Sequence, residues 1–374
     1  MVIQMKNILV VLGTRPEAIK LAPVIIALKE NNNFNVIVCN TEQQKELSNQ
    51  TLGFFGIHAD IKLDVMIHNQ SLVELQSRLL TKLDQVLSEN KIDATIVQGD
   101  TMTVFCAALT SFYKHIPVFH VEAGLRSYDL EEPFPEEAIR QMVSRLSSLH
   151  FCPTNHSVKS LEEENLINKK IFNTGNTVID ALKCISCDVI ESAKHNIDKY
   201  GINLTQDIVL ITAHRRENHG DRLKKILNSI KVLSKRYKDI QFVIPVHPNP
   251  NVKNRVVNEL SELSNIFLLP PLPYPELVLL MRFSKLIMTD SGGIQEEAPS
   301  FGHPILVLRY ETERNEGVEA GFSELVGADE EKIIKSAMRI LDSNKTVINN
   351  RENPYGDGNA ALRIVEHIEE FFNR

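Results

Sequence analysis

Short apolar runs rich in valine and isoleucine alternate with longer segments of helical period, and this alternation restricts the fold of the chain more than any other feature. Uninterrupted apolar runs are typical of strands that are covered on both faces, as in parallel sheets. Because neighbouring parallel strands need a crossover, usually a helix, the alternation predicts a doubly wound α/β fold. The runs are NILVVLG (7–13), FNVIVCN (34–40), DATIVQG (93–99), IPVFHV (116–121), DIVLITA (207–213), QFVIPVH (241–247), NIFLLP (265–270), KLIMTD (285–290) and PILVLR (304–309).

The runs form two series, which predicts two Rossmann-like domains in a chain of 374 residues. We predict an N-terminal domain over residues 1–175 and a C-terminal domain over residues 176–358. Residues 176–200 are predicted to be one long helix followed by YGIN, connecting the two domains. Residues from about 359 to 374 are helical by pattern; the pattern leaves open which domain this helix packs on, with the first domain as the candidate.

Charge and cysteine content exclude several classes of protein. The 41 Lys and Arg against 48 Asp and Glu give a net charge of −7. A chain with this charge lacks the overall positive charge that favours binding to nucleic acid or an anionic membrane. An anionic ligand would have to be held by a local cluster of cations and helix ends. Five scattered cysteines do not indicate a disulfide framework, so reduced thiols and a cytoplasmic location are expected. The sequence shows neither a membrane helix nor a signal peptide.

Polar residues directly after the apolar runs are the candidate site, because ligands of open α/β sheets bind at the carboxyl ends of the strands. In GTRPEAIK (13–20), Thr14 and Glu17 fit a capping box. Arg15 and Lys20 are cations near a helix N-terminus, where the helix dipole disfavours them. A bound phosphate would remove that conflict. A G-x-G-x-x-G fingerprint is absent, which argues against NAD.

Three further segments of the first half carry ionisable residues, and each also has a structural interpretation. Asp100 in QGDTMTVF either caps the next helix or serves a site. HVEAGLRS (120–127) offers His120, Glu122 and Arg126, which could equally form a local ion pair. In PEEAIR (135–140), dipole capping and a Glu136–Arg140 pair at i,i+4 are the structural alternative.

The second half repeats this arrangement. His214 and Arg215 belong to an ionisable cluster in AHRRENHG, and His247 follows the next apolar run. In TDSGGIQEEAP (289–299), a strand ends and a helix begins at small residues that leave its first N–H groups open to a phosphate, although an ordinary glycine turn is the alternative. Glu297, about one turn later, could accept hydrogen bonds from a ribose. These features together suggest a sugar nucleotide as the ligand.

These segments resemble the non-hydrolysing UDP-N-acetylglucosamine 2-epimerases of bacteria. The matching segments are, in order, GTRPEAIKLAPV, QGDT, HVEAGLRS, PFPEEAIRQ, GNTVIDAL, HRREN, TDSGGIQEEAP and a looser TERNEG. The resemblance implies a glycosyltransferase type-B fold, in which two Rossmann-like doubly wound domains face a cleft. It also implies the interconversion of UDP-N-acetylglucosamine and UDP-N-acetylmannosamine without NAD or a required metal. UDP would leave by anti elimination and return to the 2-acetamidoglucal intermediate.

The resemblance further assigns residue roles. Asp100, Glu122 and Glu136 match the catalytic carboxylates, with His214 beside them, and the sequence leaves open which of them removes the proton. Glu297 resembles the ribose ligand of the family. The set implied to bind substrate is Arg15, Lys20, Arg140, Ser291, Gly292, Gly293, Glu297 and Arg314.

Bacterial members of the family often bind a second UDP-N-acetylglucosamine as an allosteric activator. The contacts implied here are Gln43, Glu136, Arg215 and His247. Two departures leave activation open, because EQQ (42–44) replaces a frequent Gly-Gln-His and Asn69 stands where relatives can have arginine. A homodimer, and a product that feeds capsule or another cell-surface polysaccharide, are expected from the resemblance alone.

Four alternative functions remain open at this point. A relative of the same family could act on a 2,3-diacetamido uronic acid UDP-sugar, and a hydrolysing epimerase would release free N-acetylmannosamine. A glycosyltransferase of the same fold would need an acceptor and would not exchange the proton at carbon 2. A silent nucleotide-sugar sensor would have no use for so many carboxylates near a diphosphate.

Overall fold

The predicted alternation of strands and helices is present in a computed structural model, which describes residues 5–166, 170–247, 249–343 and 352–373. The chain divides into two units, Met1–Cys184 together with Tyr355–Arg374, and Ile185–Pro354. Each unit is built on a parallel sheet with helices between successive strands, which confirms the predicted α/β class. Within the described ranges, every helix is too short or too polar to cross a bilayer.

The first unit contains a parallel sheet with the strand order β3-β2-β1-β4-β5-β6-β7 in its described residues. The order reverses between β1 and β4, and such a switch point is where open α/β sheets bind ligands. The strands are β1 Lys6–Leu12, β2 Phe34–Asn40, β3 Ile61–Lys62, β4 Ala94–Gln98, β5 Val118–Val121, β6 Leu149–Cys152 and β7 Lys170–Asn173. The helices are α1 Arg15–Glu30, α2 Lys45–Phe54, α3 Leu72–Glu89, α4 Met102–Tyr113, α5 Glu136–Leu146, α6 Asn155–Glu163 and α7 Thr177–Lys183.

Strand β1 shows why its sequence is apolar without interruption. Ile8, Val10 and Leu12 face one apolar layer, and Leu9 and Val11 face the other. All five are at most 1 % exposed, because helices cover both faces of the sheet. An alternating polar and apolar pattern would have left buried polar groups without partners.

The second unit has the strand order β10-β9-β8-β11-β12-β13 in its described residues, with the reversal between β8 and β11. Its helices are α8 Cys187–Asp198, α9 Asp221–Arg236, α10 Pro250–Leu260, α11 Tyr274–Phe283, α12 Gly292–Glu297, α13 Asn315–Glu319 and α14 Glu330–Leu341. Its strands are β8 Ile208–Thr212, β9 Gln241–Pro245, β10 Ile266–Leu269, β11 Ser284–Thr289, β12 Ile305–Val307 and β13 Ser323–Leu325.

Sequence patterns missed four short strands: the edge strands β3, β7 and β13, and β6, which lies next to the edge between β5 and β7. These strands are two to four residues long. So short an apolar run cannot be distinguished from one turn of a buried helix by its period. Their place in the sheets follows from pairing with β2, β5, β6 and β12.

The prediction of one long helix over 176–200 is wrong. The segment forms two helices, α7 and α8, separated at Cys184–Ser186. Ser186 is the N-cap of α8, and its hydroxyl accepts a hydrogen bond of 3.4 Å from the backbone N–H of Val189. A serine that caps a new helix competes with continuation of the previous one. The division between the two units lies at the same point, between Cys184 and Ile185.

The C-terminal helix α15, Ala360–Phe372, belongs to the first unit. Ile364 and Ile368 are fully buried in the same apolar layer as β1, and Phe371 packs edge-on against Phe119 with ring centroids 5.1 Å apart. Burying each isoleucine side chain contributes about 1.5–3 kcal/mol. The last residue of the predicted segment, Arg374, lies outside the described residues.

Asp180 of α7 caps the start of α15. Its Oδ1 accepts a hydrogen bond of 2.8 Å from the backbone N–H of Ala361. The carboxyl group is buried, and burial raises its pKa although the amides of α15 oppose this shift. The GNTVIDAL segment therefore has a structural role in docking the C-terminal helix on the first unit.

We expect Asp180→Ala to loosen α15, because the first turn of the helix loses its acceptor. Loss of a helix cap costs about 1–2 kcal/mol, which corresponds to roughly 5- to 30-fold faster amide exchange in residues 360–372. Hydrogen exchange followed by mass spectrometry measures this directly. Asp180→Asn is the matched control, since it keeps an acceptor oxygen and should exchange at nearly the original rate. Equal exchange in Asp180→Ala and the original protein would contradict the capping role.

Candidate active site

The first strand of the first unit leads into α1 through a tight turn at Gly13. A Cβ atom at this position would lie 2.1 Å from Oγ1 of Thr41, so only glycine fits. Glu17 is buried and accepts hydrogen bonds from the amides of Gly13 at 2.6 Å and Thr14 at 2.8 Å, and from the hydroxyl of Thr101. Burial raises the pKa of Glu17, and these hydrogen bonds oppose the shift. The predicted capping box is confirmed, and it also joins the end of β1 to the end of β4.

Lys20 lies one turn further along α1 and forms a buried ion pair with Glu122, which follows β5. The side chains of both residues are only 8 % exposed. Gln98, the last residue of β4, donates its amide N–H to the second oxygen of the Glu122 carboxylate. A carboxylate of the same unit therefore neutralises Lys20, whereas the predicted phosphate contact of Arg15 and Lys20 stays a prediction. Glu122 adopts φ 63°, a left-handed conformation that non-glycine residues seldom adopt outside special sites.

Asp100 does not cap α4. Thr101 has that role, because its hydroxyl accepts a hydrogen bond of 3.4 Å from the backbone N–H of Val104. The carboxylate of Asp100 is paired with the guanidinium of Arg140 on α5. Arg140 is buried, whereas the side chain of Asp100 is 25 % exposed and so is accessible to a ligand.

Helix α5 brings two further carboxylates to the same region. Glu136 is its half-buried first residue, one turn before Arg140 and on the same helix face. Glu137 is buried and accepts hydrogen bonds from the amides of Ser127 at 2.9 Å and Tyr128 at 3.2 Å. Burial alone would raise the pKa of Glu137, but these amides and Arg140, 3.4 Å away, lower it overall. Glu137 thus holds the loop after β5 against α5.

The remaining polar residues of HVEAGLRS support the loop rather than face a ligand. Arg126 makes a two-pronged pair with Glu164, 38 residues later, and donates to Ser144 at 2.9 Å. Arg126 is therefore ion-paired, but with a distant partner and not within HVEAGLRS as the local alternative predicted. His120 is buried, with Nε2 at 2.8 Å from the carbonyl oxygen of Gly99. Burial lowers the pKa of His120 to about 4, so its ring is neutral at neutral pH.

Residues after β2 complete the polar edge of the first unit. The Oε1 atom of Gln43 accepts a hydrogen bond of 2.9 Å from the hydroxyl of Thr103 at the start of α4. Gln44 accepts one of 3.1 Å from the backbone N–H of Arg15 at the start of α1. These contacts connect the EQQ segment to the first turns of both helices. Asn69 lies apart from them, as an exposed residue in the loop before α3.

In the second unit, Asp290 organises the end of β8. Its Oδ2 atom accepts three hydrogen bonds of 2.9 Å, from the backbone N–H groups of His214 and Arg215 and from the side-chain amide of Asn218. Asp290 is completely buried, and its Oδ1 lies 3.4 Å from Nδ1 of His214. The ring of His214 stacks on that of His247, with centroids 5.6 Å apart. The two predicted histidines therefore lie side by side.

The Ser291-Gly292-Gly293 segment begins α12 as predicted. A Cβ atom on Gly292 would lie 2.5 Å from Cζ of Arg314, so the guanidinium lies directly against the backbone of this turn. Arg314 is paired with Glu296, with Nε at 2.9 Å from Oε1, and with Glu313. Burial would raise the pKa of Glu313, but Arg314 and Arg309 hold it well below its usual range.

Glu297 ends α12 and is 6 % exposed. Its Oε2 atom accepts a hydrogen bond of 2.9 Å from the hydroxyl of Tyr274, the buried first residue of α11. This bond fixes the orientation of the carboxylate that the resemblance assigns to ribose binding. The assignment itself stays a prediction.

Several residues that shape these strand ends were not identified from the sequence. Gln98, Glu137 and Tyr274 act through contacts with residues 10 to 24 positions away, which no local pattern reports. Asp290 was recognisable as the residue after a strand, but its three donors come from a loop 72–76 residues earlier. In the described ranges, no group of three or more His, Cys, Asp or Glu side chains is arranged to hold a metal ion.

Comparison with known proteins identifies relatives along almost the whole chain. A family model described as UDP-N-acetylglucosamine 2-epimerase matches residues 26–369. The UDP-N-acetylglucosamine 2-epimerase of Neisseria meningitidis is 46 % identical over 369 residues, covering 97 % of this chain and 99 % of the relative. That of Escherichia coli is 44 % identical, covering 97 % of this chain and 98 % of the relative.

Solved structures agree with these matches. The structure of the Neisseria meningitidis enzyme bound to UDP-GlcNAc has a TM-score of 0.90 and covers 97 % of this chain and all of the other. The Methanocaldococcus jannaschii enzyme in complex with UDP-GlcNAc and UDP is 34 % identical, with a TM-score of 0.83, and covers 97 % of this chain and 99 % of the other. These likenesses confirm the glycosyltransferase type-B class of fold. The chain belongs to the UDP-N-acetylglucosamine 2-epimerase family.

Proposed function

We propose that this chain interconverts UDP-N-acetylglucosamine and UDP-N-acetylmannosamine by eliminating UDP and adding it back to 2-acetamidoglucal. Family membership supports the reaction class. The observation that carries the mechanism is the set of carboxylates at adjacent strand ends of the first unit. Glu122 and Asp100 are each paired with a separate buried cation, Lys20 and Arg140.

The chemistry explains why such a set is needed. The proton on carbon 2 of the sugar is not acidic while UDP remains attached. As the bond from carbon 1 to the phosphate oxygen breaks, the ring becomes oxocarbenium-like and this proton becomes acidic. A base removes the proton, its electron pair forms the double bond between carbons 1 and 2, and UDP leaves with the former bond pair. A proton is then delivered to the opposite face of carbon 2, and UDP returns to carbon 1. Removal and delivery on opposite faces require two acid–base groups.

We assign proton transfer to Asp100, Glu122 and Glu136, with His214 assisting at the leaving group. Glu122 has one oxygen on Lys20 and the other on Gln98, so its position is well defined. Asp100 is the more exposed of the two paired carboxylates. A pair of acids in different surroundings is a frequent way to divide acid and base roles.

We assign the nucleotide and its diphosphate to cations, backbone amides and one carboxylate. Glu297 would bind the ribose, with its carboxylate oriented by Tyr274. Arg314, lying against the Gly292 backbone, would bring positive charge to the amides of Ser291, Gly292 and Gly293. The remaining assigned substrate contacts are Arg15, Lys20 and Arg140. Neutralising the diphosphate lowers the barrier to its departure.

Three further parts of the proposal rest on the family resemblance. A second UDP-N-acetylglucosamine would activate the enzyme through Gln43, Glu136, Arg215 and His247. In that case, UDP-N-acetylmannosamine alone should be a poor substrate until UDP-N-acetylglucosamine is added, and full activity without it would contradict activation.

The proposal also includes a homodimer, which light scattering would measure. It further includes a cytoplasmic role in supplying a precursor of cell-surface polysaccharide.

The reaction is tested by proton NMR of the protein with UDP-N-acetylglucosamine in heavy water. We expect UDP-N-acetylmannosamine to appear with deuterium at carbon 2, because the abstracted proton exchanges with solvent. Accumulation of free N-acetylmannosamine and UDP would contradict the non-hydrolysing reaction. An unchanged spectrum would contradict this substrate.

The acid–base assignment predicts that Asp100→Asn, Glu122→Gln and Glu136→Gln each lower kcat by about 10²-fold or more while the protein stays folded. Turnover is followed by the same NMR assay, and folding by circular dichroism. Asp93→Asn is the matched control, because Asp93 accepts a hydrogen bond of 2.8 Å from the amide of Asn7 at the opposite end of the sheet. Near-normal turnover in all three acid variants would refute the assignment.

The ribose assignment predicts that Glu297→Gln weakens UDP binding by about 10-fold, since a hydrogen bond to a charged acceptor contributes about 1.5–3 kcal/mol. Isothermal titration calorimetry with UDP measures Kd. Glu276→Gln is the control: Glu276 is another buried carboxylate of the second unit and bonds to Asn196 at 2.8 Å. The same Kd in both variants would contradict the role of Glu297.

A further inference from the structure

Strands β4 and β5 of the first unit support each other's carboxylates crosswise. They are parallel neighbours, with Val97 opposite His120 and Gln98 opposite Val121. Gln98 ends β4 and donates to Glu122, the carboxylate that follows β5. His120 lies in β5 and bonds to the carbonyl of Gly99, in the turn that precedes Asp100 after β4. A residue of β4 therefore contacts the acid that follows β5, and a residue of β5 contacts the turn that carries the acid after β4.

The bond from His120 requires a defined protonation state. The carbonyl of Gly99 can only accept, so Nε2 of His120 carries the hydrogen. Nδ1 is buried and has no hydrogen-bond partner in the described structure, so a proton on that atom would be costly. The downward shift of the His120 pKa to about 4, caused mainly by burial, agrees with a neutral ring. His120 is thus a fixed donor and not an acid–base group.

The turn that His120 holds is conformationally unusual. Gly99 has φ 79°, in the left-handed region that favours glycine. A Cβ atom on Gly99 would lie 3.5 Å from Oε2 of Glu122, so this turn passes directly beside the carboxylate. A change in the Gly99 peptide would therefore move the backbone of Asp100 and the surroundings of Glu122 together.

Gln98 is equally constrained. It is 2 % exposed, and its Oε1 atom has no hydrogen-bond partner in the described structure. Its amide N–H is engaged with Glu122. Most buried polar side chains have partners for all of their polar atoms. Gln98 does not, and its bond to the Glu122 carboxylate is what holds the side chain in place.

We propose that Gln98 and His120 are positioning residues for proton transfer, in which Gln98 orients the Glu122 carboxylate and His120 fixes the turn that presents Asp100. This inference rests on the proposed function. Neither residue touches the substrate: each acts through the carboxylate or peptide that it holds. A displacement of about 1 Å in a reacting group can cost about 10²-fold in rate.

The test compares variants that keep side-chain volume and remove the donor. Gln98→Met and His120→Met should each lower kcat by about 10- to 100-fold, with KM for the UDP-sugar and Kd for UDP within about twofold of the original values. His120→Gln should recover most of the lost kcat, because its amide N–H can reach the Gly99 carbonyl as Nε2 does. Should Gln98→Met fail to fold, Gln98→Leu removes the same donor with a smaller apolar side chain and is expected to show the same loss.

Thr95→Val is the matched control. Thr95 is fully buried in the same strand β4, and its hydroxyl accepts a hydrogen bond of 2.9 Å from Ser111. Thr95 lies near the start of the strand, whereas Asp100 follows its end. This variant tests the loss of a buried polar contact without loss of positioning, and its kcat should equal that of the original protein. Thermal unfolding of every variant shows whether a loss of kcat is accompanied by a lower unfolding temperature.

The outcomes are separable. Unchanged kcat in folded Gln98→Met and His120→Met, or an effect on KM alone, would overturn the inference while leaving the proposed function intact. An equal loss of kcat in Thr95→Val, or no recovery in His120→Gln, would also overturn it. An original protein without epimerase activity would refute the proposed function, and this inference with it.

Discussion

Charge buried at the carboxyl ends of parallel strands is the constraint on which both units depend. In the first unit, Glu122 is held by Lys20 and Asp100 by Arg140, and removing one partner of a buried pair such as Glu122–Lys20 typically costs about 3–5 kcal/mol. Each cation must therefore stay with its acid. Lys20 comes from α1 and Arg140 from α5, so the two pairs also fix both helices against the sheet.

The second unit meets the same constraint in a different way. Asp290 is completely buried but has backbone and side-chain N–H groups around Oδ2 in place of a cationic head group. Those donors belong to the loop after β8, so the hydrogen bonds that satisfy this carboxylate also shape the segment that carries His214 and Arg215. The first unit carries the acids that we propose for proton transfer, whereas the second uses its buried acid to shape a loop. This difference matches the proposed division between sugar chemistry and nucleotide binding.

Local structure in both units follows from this arrangement. Glycine is required where the chain turns sharply beside these groups, as at Gly13 against Thr41 and Gly292 against Arg314. The left-handed conformation of Glu122 is stabilised by contacts on both of its carboxylate oxygens. The family motifs are therefore scattered along the chain because each supplies one side of a contact that is completed by a distant strand or helix.

The sequence by itself determined the α/β class, the two series of strands and the positions of most candidate site residues, because parallel strands must be apolar on both faces and their ends are the places that can carry polar groups. It also indicated the capping box of Glu17, which is a local contact. Tertiary structure alone decided that Asp100 pairs with Arg140 and not with the first turn of α4, and that Gln98 and His120 hold the segments that carry the acids. Each of these depends on which strand or helix lies beside another, and residue spacing does not encode that neighbourhood.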